Sequence, residues 1–168
     1  MSPNSHSHST AIEDIILKGS AKAKSVRRPV LSMTETKRPK IRFVDLHNEG
    51  DARGFSVTTP PEALEYVGRT ADVHLASINP GAIRGNHYHV KTRMAIMILP
   101  GSNWSFHWDE GEDTQSQQRI FDGTRTILML VATGASHAVR NDGTAPLWML
   151  AISSEPYDPV DRVARKVV

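Results

Sequence analysis

An all-β fold, a small barrel of short strands over residues 41–168, is what the sequence predicts, and three observations predict it. Turn signals return at nearly even intervals: Pro100-Gly101, Glu110-Gly111, Asp122-Gly123, Thr133-Gly134 and Asp142-Gly143 lie nine to twelve residues apart. The segments between them are short and apolar, and short strands punctuated by Gly-containing turns at that spacing indicate a sandwich or barrel. Helical periodicity in this part of the chain is confined to one turn, at 61–66.

Taken in order, strands are expected at 41–45, 55–57, 72–78, 94–99, 103–108, 117–121, 126–131, 137–140 and 146–153, with a further one carrying the His-Tyr-His sequence at 87–89. Side chains alternate between the two faces of a strand. In 103–108 this places Trp104, Phe106 and Trp108 together, with Ser105 and His107 opposite. Segment 126–131 is apolar on both faces, and 94–99 is apolar throughout. Strands of that kind are covered on both sides. A partner subunit on the outer face of the barrel would cover them, so a homodimer is expected. Trp104, Trp108 and Trp148 belong to the core or to that interface.

The 168 residues suffice for one domain and not for two full ones, and 39% are apolar. The absence of Cys excludes disulfides, thiolate metal sites and Cys nucleophiles. No apolar run approaches the ~18 residues that cross a bilayer, and the polar start at 1–10 lacks a secretory signal, so the expected compartment is the cytoplasm. Charge is divided unevenly. Residues 1–42 hold nine Lys or Arg against three acids, whereas 43–168 hold eleven basic and fifteen acidic residues. The basic leader has no Phe, Tyr or Trp on which bases could stack, so nucleic acid is not an expected partner. Residues 1–40 are expected to be a flexible extension. His6 and His8 lie in its polar end. Thr10 and Glu13 form a capping box for a short amphipathic helix over 11–18, which Gly19 ends. A linker rich in Lys, Arg, Ser and Pro follows.

The chemistry concentrates in histidines. His87 and His89, two apart on a strand, share a face about 7 Å apart along the chain. His137 follows the Thr133-Gly134 turn. If the barrel closes, the three imidazoles converge, and such a set suits proton transfer or a divalent Zn, Fe, Mn or Ni ion.

The spacing around them resembles the cupin superfamily. Gly81 is followed by five residues, His87-Tyr88-His89, four residues to Met94, and six to Gly101. Thr133-Gly134 is followed by two residues, His137, three residues and Asn141. Both motifs keep the family's spacing. Met94 stands where the family has a metal-binding Glu, and Ala132 where it has Pro. The resemblance implies a double-stranded β-helix, the jelly-roll cupin barrel. The segment Arg84-Gly85-Asn86-His87-Tyr88-His89 resembles that of bacterial sugar-modifying cupins: dTDP-sugar ketoisomerases, dTDP-4-dehydrorhamnose epimerase-like proteins and the C-terminal cupin of capsular-polysaccharide enzymes. Ser154-Glu155-Pro156-Tyr157-Asp158 is similar to their C-terminal ends.

This resemblance implies an isomerase or epimerase of a nucleotide-linked keto-sugar, with His87 and His89 as the acid/base pair and Arg84, His137 and Asn86 as substrate contacts. Two adjacent imidazoles can divide the roles of base and donor, because charging one disfavours charging the other. An Arg fork suits a diphosphate. A metal on His87, His89 and His137 is the alternative, in a dioxygenase-like cupin made softer by Met94. A non-catalytic ligand-binding cupin is the third reading. His74, in an apolar strand, is expected to be structural. His107 is expected in the framework, His47 in a loop, Tyr88 in packing, and Lys91 and Arg93 at the rim.

Overall fold

The computed structural model describes residues 38–168; the expected helix at 11–18 and most of the leader lie outside the described residues. Within them, strand-forming segments alternate with turns to give β1 (Ile41–Leu46), β2 (Asp72–Ile78), β3 (Ile83–His89), β4 (Met94–Ile98), β5 (Trp104–Asp109), β6 (Gln117–Phe121), β7 (Thr126–Val131), β8 (Ser136–Asn141), β9 (Leu147–Ser153) and β10 (Arg162–Ala164). They pair into two antiparallel five-stranded sheets, ordered β1-β7-β4-β9-β2 and β10-β3-β8-β5-β6. From β6 onward consecutive strands alternate between the sheets, so the chain winds around one shared interior.

Period-two alternation fills that interior. Trp104, Phe106 and Trp108 face inward from β5, Ile96 and Ile98 from β4, Ile127, Met129 and Val131 from β7, and Leu147, Met149 and Ala151 from β9, all in one buried cluster. Phe43 of β1 meets Phe106 and Trp108 edge-on, at centroid distances of 5.5 and 5.2 Å. The apolar residues on the opposite faces of β4 and β7 have another partner. Ala95, Met97, Leu128 and Leu130 form a second cluster with Leu46, Ile152 and the helix residues Ala63 and Val67. The helix, α1 (Pro61–Val67), starts with Pro at its first position, where no N–H is needed. Gly68 ends it, donating its N–H to the Leu64 carbonyl at 2.8 Å.

The two-faced burial of β4 and β7 therefore comes from a layer within the chain, not from a partner subunit. A different surface is left bare. On the outer side of β2 and β9, Val73, Leu75 and Trp148 are 58%, 61% and 48% exposed. Residues 55–57 are not a strand; only an isolated bridge, Asp51 to Gly54, forms nearby. There the Asn48 side chain takes the N–H groups of Gly50 and Ser56, in place of a neighbouring strand. Among the described residues no helix is long and apolar enough to cross a membrane.

Candidate functional site

Position three of the Arg84-to-His87 spacing is the local problem. In a regular strand, residues three apart face opposite sides. β3 solves it with a bulge: Gly85 pairs with Ala138 and His87 with His137, so Asn86 is an extra residue. The bulge returns Arg84, His87 and His89 to the same inner face. Gly85 permits it, at φ 122°, because a Cβ there would lie 2.4 Å from the His137 carbonyl oxygen and 2.5 Å from Ala138 Cα. Asn86 takes φ 56°, a left-handed conformation that Asn tolerates.

The Asn86 side chain is then committed elsewhere. Its Oδ1 accepts from the N–H groups of Val167 and Val168 at 2.8 and 3.2 Å, and its amide donates to the Val168 carbonyl at 3.3 Å. It is not in the wall of the cavity, so the expected substrate contact at Asn86 is replaced by a framework role. The bulge turns this side chain out of the barrel toward the last residues of the chain.

The three histidines come together as expected. The His87 ring centroid lies 5.0 Å from those of His89 and His137, and His89 and His137 are 6.2 Å apart. Each ring is held by Nδ1: His87 to the Gly85 carbonyl at 3.0 Å, His137 to the Ala135 carbonyl at 3.2 Å, and His89 to Asp161 Oδ2 at 3.1 Å. A carbonyl can only accept, so Nδ1 carries the proton in His87 and His137 and Nε2 keeps a lone pair. Burial, the proximity of His87 and the Arg162 charge push His137 down to about 3, against the Ala135 bond. Burial, with Arg162 and His89, takes His87 down to about 4. Burial also lowers His89, but Asp161 opposes the shift. The cluster is thus neutral at pH 7.

These residues line a cavity of about 730 Å³ that opens between the two sheets. The second sheet supplies His87, His89, His137, Val139 and Arg84. The first supplies Met94, Ile96, Met149, Asp72 and His74. The segment after β9 supplies Glu155, Tyr157 and Asp158 at the lip. Arg84 Nε donates to the Ser77 carbonyl at 2.8 Å, which anchors the guanidinium between β3 and β2. Arg162, on β10 opposite His89, is a second cation in the wall, with an Nη 3.4 Å from His87 Nδ1.

Several of these were not legible in the sequence. Asp161 and Arg162 sit on a 3₁₀ turn (Pro159–Asp161) and the three-residue β10, which carry no periodic signal. His74 faces the cavity and is exposed there, contrary to the structural role expected for it. His107 is in the framework: it is buried, with Nε2 2.9 Å from Ser105 Oγ. Met94 does occupy the wall, so a thioether stands where a carboxylate ligand would reach in. Among the described residues no three His, Asp or Glu side chains are placed to hold a metal ion.

The model of the polysaccharide biosynthesis C-terminal domain family matches residues 50–162. The chain belongs to this family. Solved structures share the fold of its barrel. It superposes on the 3'-monoepimerase ChmJ from Streptomyces bikiniensis, solved with dTDP-quinovose, at TM-score 0.63 and 18% identity, over 74% of this chain and 69% of that one. It matches the 3,4-ketoisomerase QdtA from Thermoanaerobacterium thermosaccharolyticum, a mutant of which was solved with TDP-4-keto-6-deoxyglucose, at TM-score 0.57 and 12% identity, over 74% and 86% of the two chains. The capsular polysaccharide assembling protein CapF from Staphylococcus aureus gives TM-score 0.53 and 20% identity over 73% of this chain, which spans about a third (34%) of CapF. Among curated proteins none matches the sequence significantly. At these identities the likeness establishes the all-β cupin jelly roll. The polysaccharide biosynthesis domain of this chain thus carries, on that barrel, a histidine cluster with two arginines at its side.

Proposed function

We propose that this domain is an isomerase or epimerase of a nucleotide-linked keto-sugar, working by proton transfer between histidines. The observation that carries the reading is the neutral cluster of His87, His89 and His137 in one cavity wall, flanked by Arg84 and Arg162. The neighbouring folds solved with TDP-linked sugars support it. One imidazole takes the proton from the carbon beside the ketone, through an Nε2 lone pair. A second group gives the ketone oxygen a proton or hydrogen bond as negative charge develops there. Delivering the proton to the former ketone carbon, while the neighbouring hydroxyl gives its own proton to the second group and becomes the new ketone, isomerises the sugar; returning the proton to the opposite face of the carbon it left epimerises it. Arg84 and Arg162 bind the diphosphate, for which planar guanidinium forks are suited. His137, the most deeply buried of the three, contacts the sugar ring. His74, Asp72 and Tyr157 line the opposite wall and lip.

The test is incubation with dTDP-4-keto-6-deoxyglucose and related keto-sugars in deuterated water. Deuterium enters the carbon next to the ketone with the native protein and not with His89→Asn. No uptake across the panel refutes the reading.

A divalent metal on the three histidines is the second reading, and one observation favours it: every Nδ1 is engaged, so the Nε2 lone pairs are the ones left to coordinate. The ring placement and Met94 do not match a metal-holding set, and no step above passes through a metal. Metal analysis of purified protein, and calorimetry with added Zn²⁺, Fe²⁺, Mn²⁺ or Ni²⁺, decides it. We also propose a homodimer through the bare Val73, Leu75 and Trp148 face, which sedimentation of the native protein and a Leu75→Glu variant tests.

A further inference from the structure

The three imidazoles of the cluster are alike in one respect and different in another. All are held at Nδ1, but His87 and His137 face backbone carbonyls, whereas His89 faces a carboxylate. That carboxylate is itself tightly held. Asp161 is 5% exposed. Its Oδ1 accepts from the Lys91 N–H at 2.7 Å, and its Oδ2 accepts from the Thr92 N–H at 3.2 Å and the Thr92 hydroxyl at 2.5 Å, besides His89. Both oxygens are aimed by the backbone of the β3–β4 turn, so the carboxylate cannot rotate away from His89 without losing these bonds.

We propose that Asp161 is the positioning residue of this site: it fixes His89 with its proton on Nδ1 and its lone pair on Nε2, and so selects His89 among the three imidazoles as the proton carrier. This rests on the reading of the site as a proton-transfer centre. An imidazole that accepts a proton at Nε2 becomes a cation, and a carboxylate on Nδ1 stabilises that cation where a neutral carbonyl does so less. Arg162 lies on the other side, near His87. Its charge disfavours a cation on His87, while Asp161 offsets it for His89. Division of labour in the cluster is thus set by one side chain on the 3₁₀ turn after the cavity lip.

The test reads the tautomer directly, without a substrate. Long-range ¹⁵N–¹H correlation spectra of the full-length, ¹⁵N-His-labelled native protein, assigned with single His variants at pH 7.5, should show His89 protonated on Nδ1. Asp161→Ala should shift the His89 Nδ1–H to Nε2–H ratio by at least tenfold toward Nε2–H. Thr92→Val, which removes one bond to the same carboxylate but leaves the carboxylate itself, should leave the ratio within twofold. If Asp161→Ala does not fold, the native spectrum still decides: His89 protonated on Nε2 overturns the proposal, as does a folded Asp161→Ala with an unchanged ratio. Asp161→Asn, which keeps the shape and loses the charge, should lower the deuterium-exchange kcat by at least tenfold with KM within threefold; equal loss in both, or none, also overturns it. A native enzyme that exchanges nothing, with His89 still on Nδ1, counts against the proposed reaction and not against this positioning.

Discussion

Stability should fall steeply as the solution is made acid, because the interior holds neutral imidazoles that the unfolded chain would protonate. His137 stands near 3 and His87 near 4 in the folded protein, each against 6.5 as the reference value. The unfolded state therefore binds more protons below pH 6.5. Unfolding free energy rises with pH wherever that is so, which means the contribution of each group is present above 6.5 and is lost as pH falls toward its folded value. Between pH 6.5 and 5.0 both groups remain neutral in the folded state, so the loss is set by protonation of the unfolded chain alone. It amounts to about 1.6 kcal/mol per histidine, or about 3 kcal/mol for the pair. This window is insensitive to the folded values as long as they lie well below 5. The assay is urea unfolding at both pH values, on metal-free native protein and on His137→Gln. The variant should lose about 1.6 kcal/mol less over the window than the native protein, the share that belongs to His137. An equal loss in both would show that His137 is not held neutral and would refute the desolvation argument.

Other outcomes follow from the bulge and its neighbours. Gly85→Ala should destabilise by at least about 3 kcal/mol, since it combines positive φ with overlap on the His137 backbone; denaturant melts check this. Asn86→Ala should cost about 2 kcal/mol, through two lost acceptor bonds and the left-handed φ, and Asn86→Gly should cost less because it relieves the second. Under the proposed reaction, Arg84→Ala should raise KM for a nucleotide sugar about tenfold with kcat little changed, in steady-state isomerisation assays.

Strand positions were legible because alternation and Gly-containing turns are local. The expected 72–78, 117–121 and 126–131 match β2, β6 and β7 to the residue. The fold class followed from their even spacing. His87 and His89 were legible as a pair for the same reason, and His137 through its motif. What lay beyond the sequence was everything decided by a partner far along the chain. Arg84 reaches the histidine face only because a bulge breaks the alternation on which its expected position depends. Asn86 was expected at the substrate, since the motif marks its position but not the direction of its side chain. Asp161 makes its bonds about seventy residues away, to Lys91, Thr92 and His89.

The sequence alone determined a strand-and-turn rhythm, a core stripe and three imidazoles at family spacing, because these depend on intervals of a few residues. Tertiary structure decided which carboxylate faces which ring, which arginine joins the wall, and which apolar face is covered by α1 and which is bare. Those outcomes depend on how two sheets pack, and packing is fixed by the sum of many distant contacts that no short interval records.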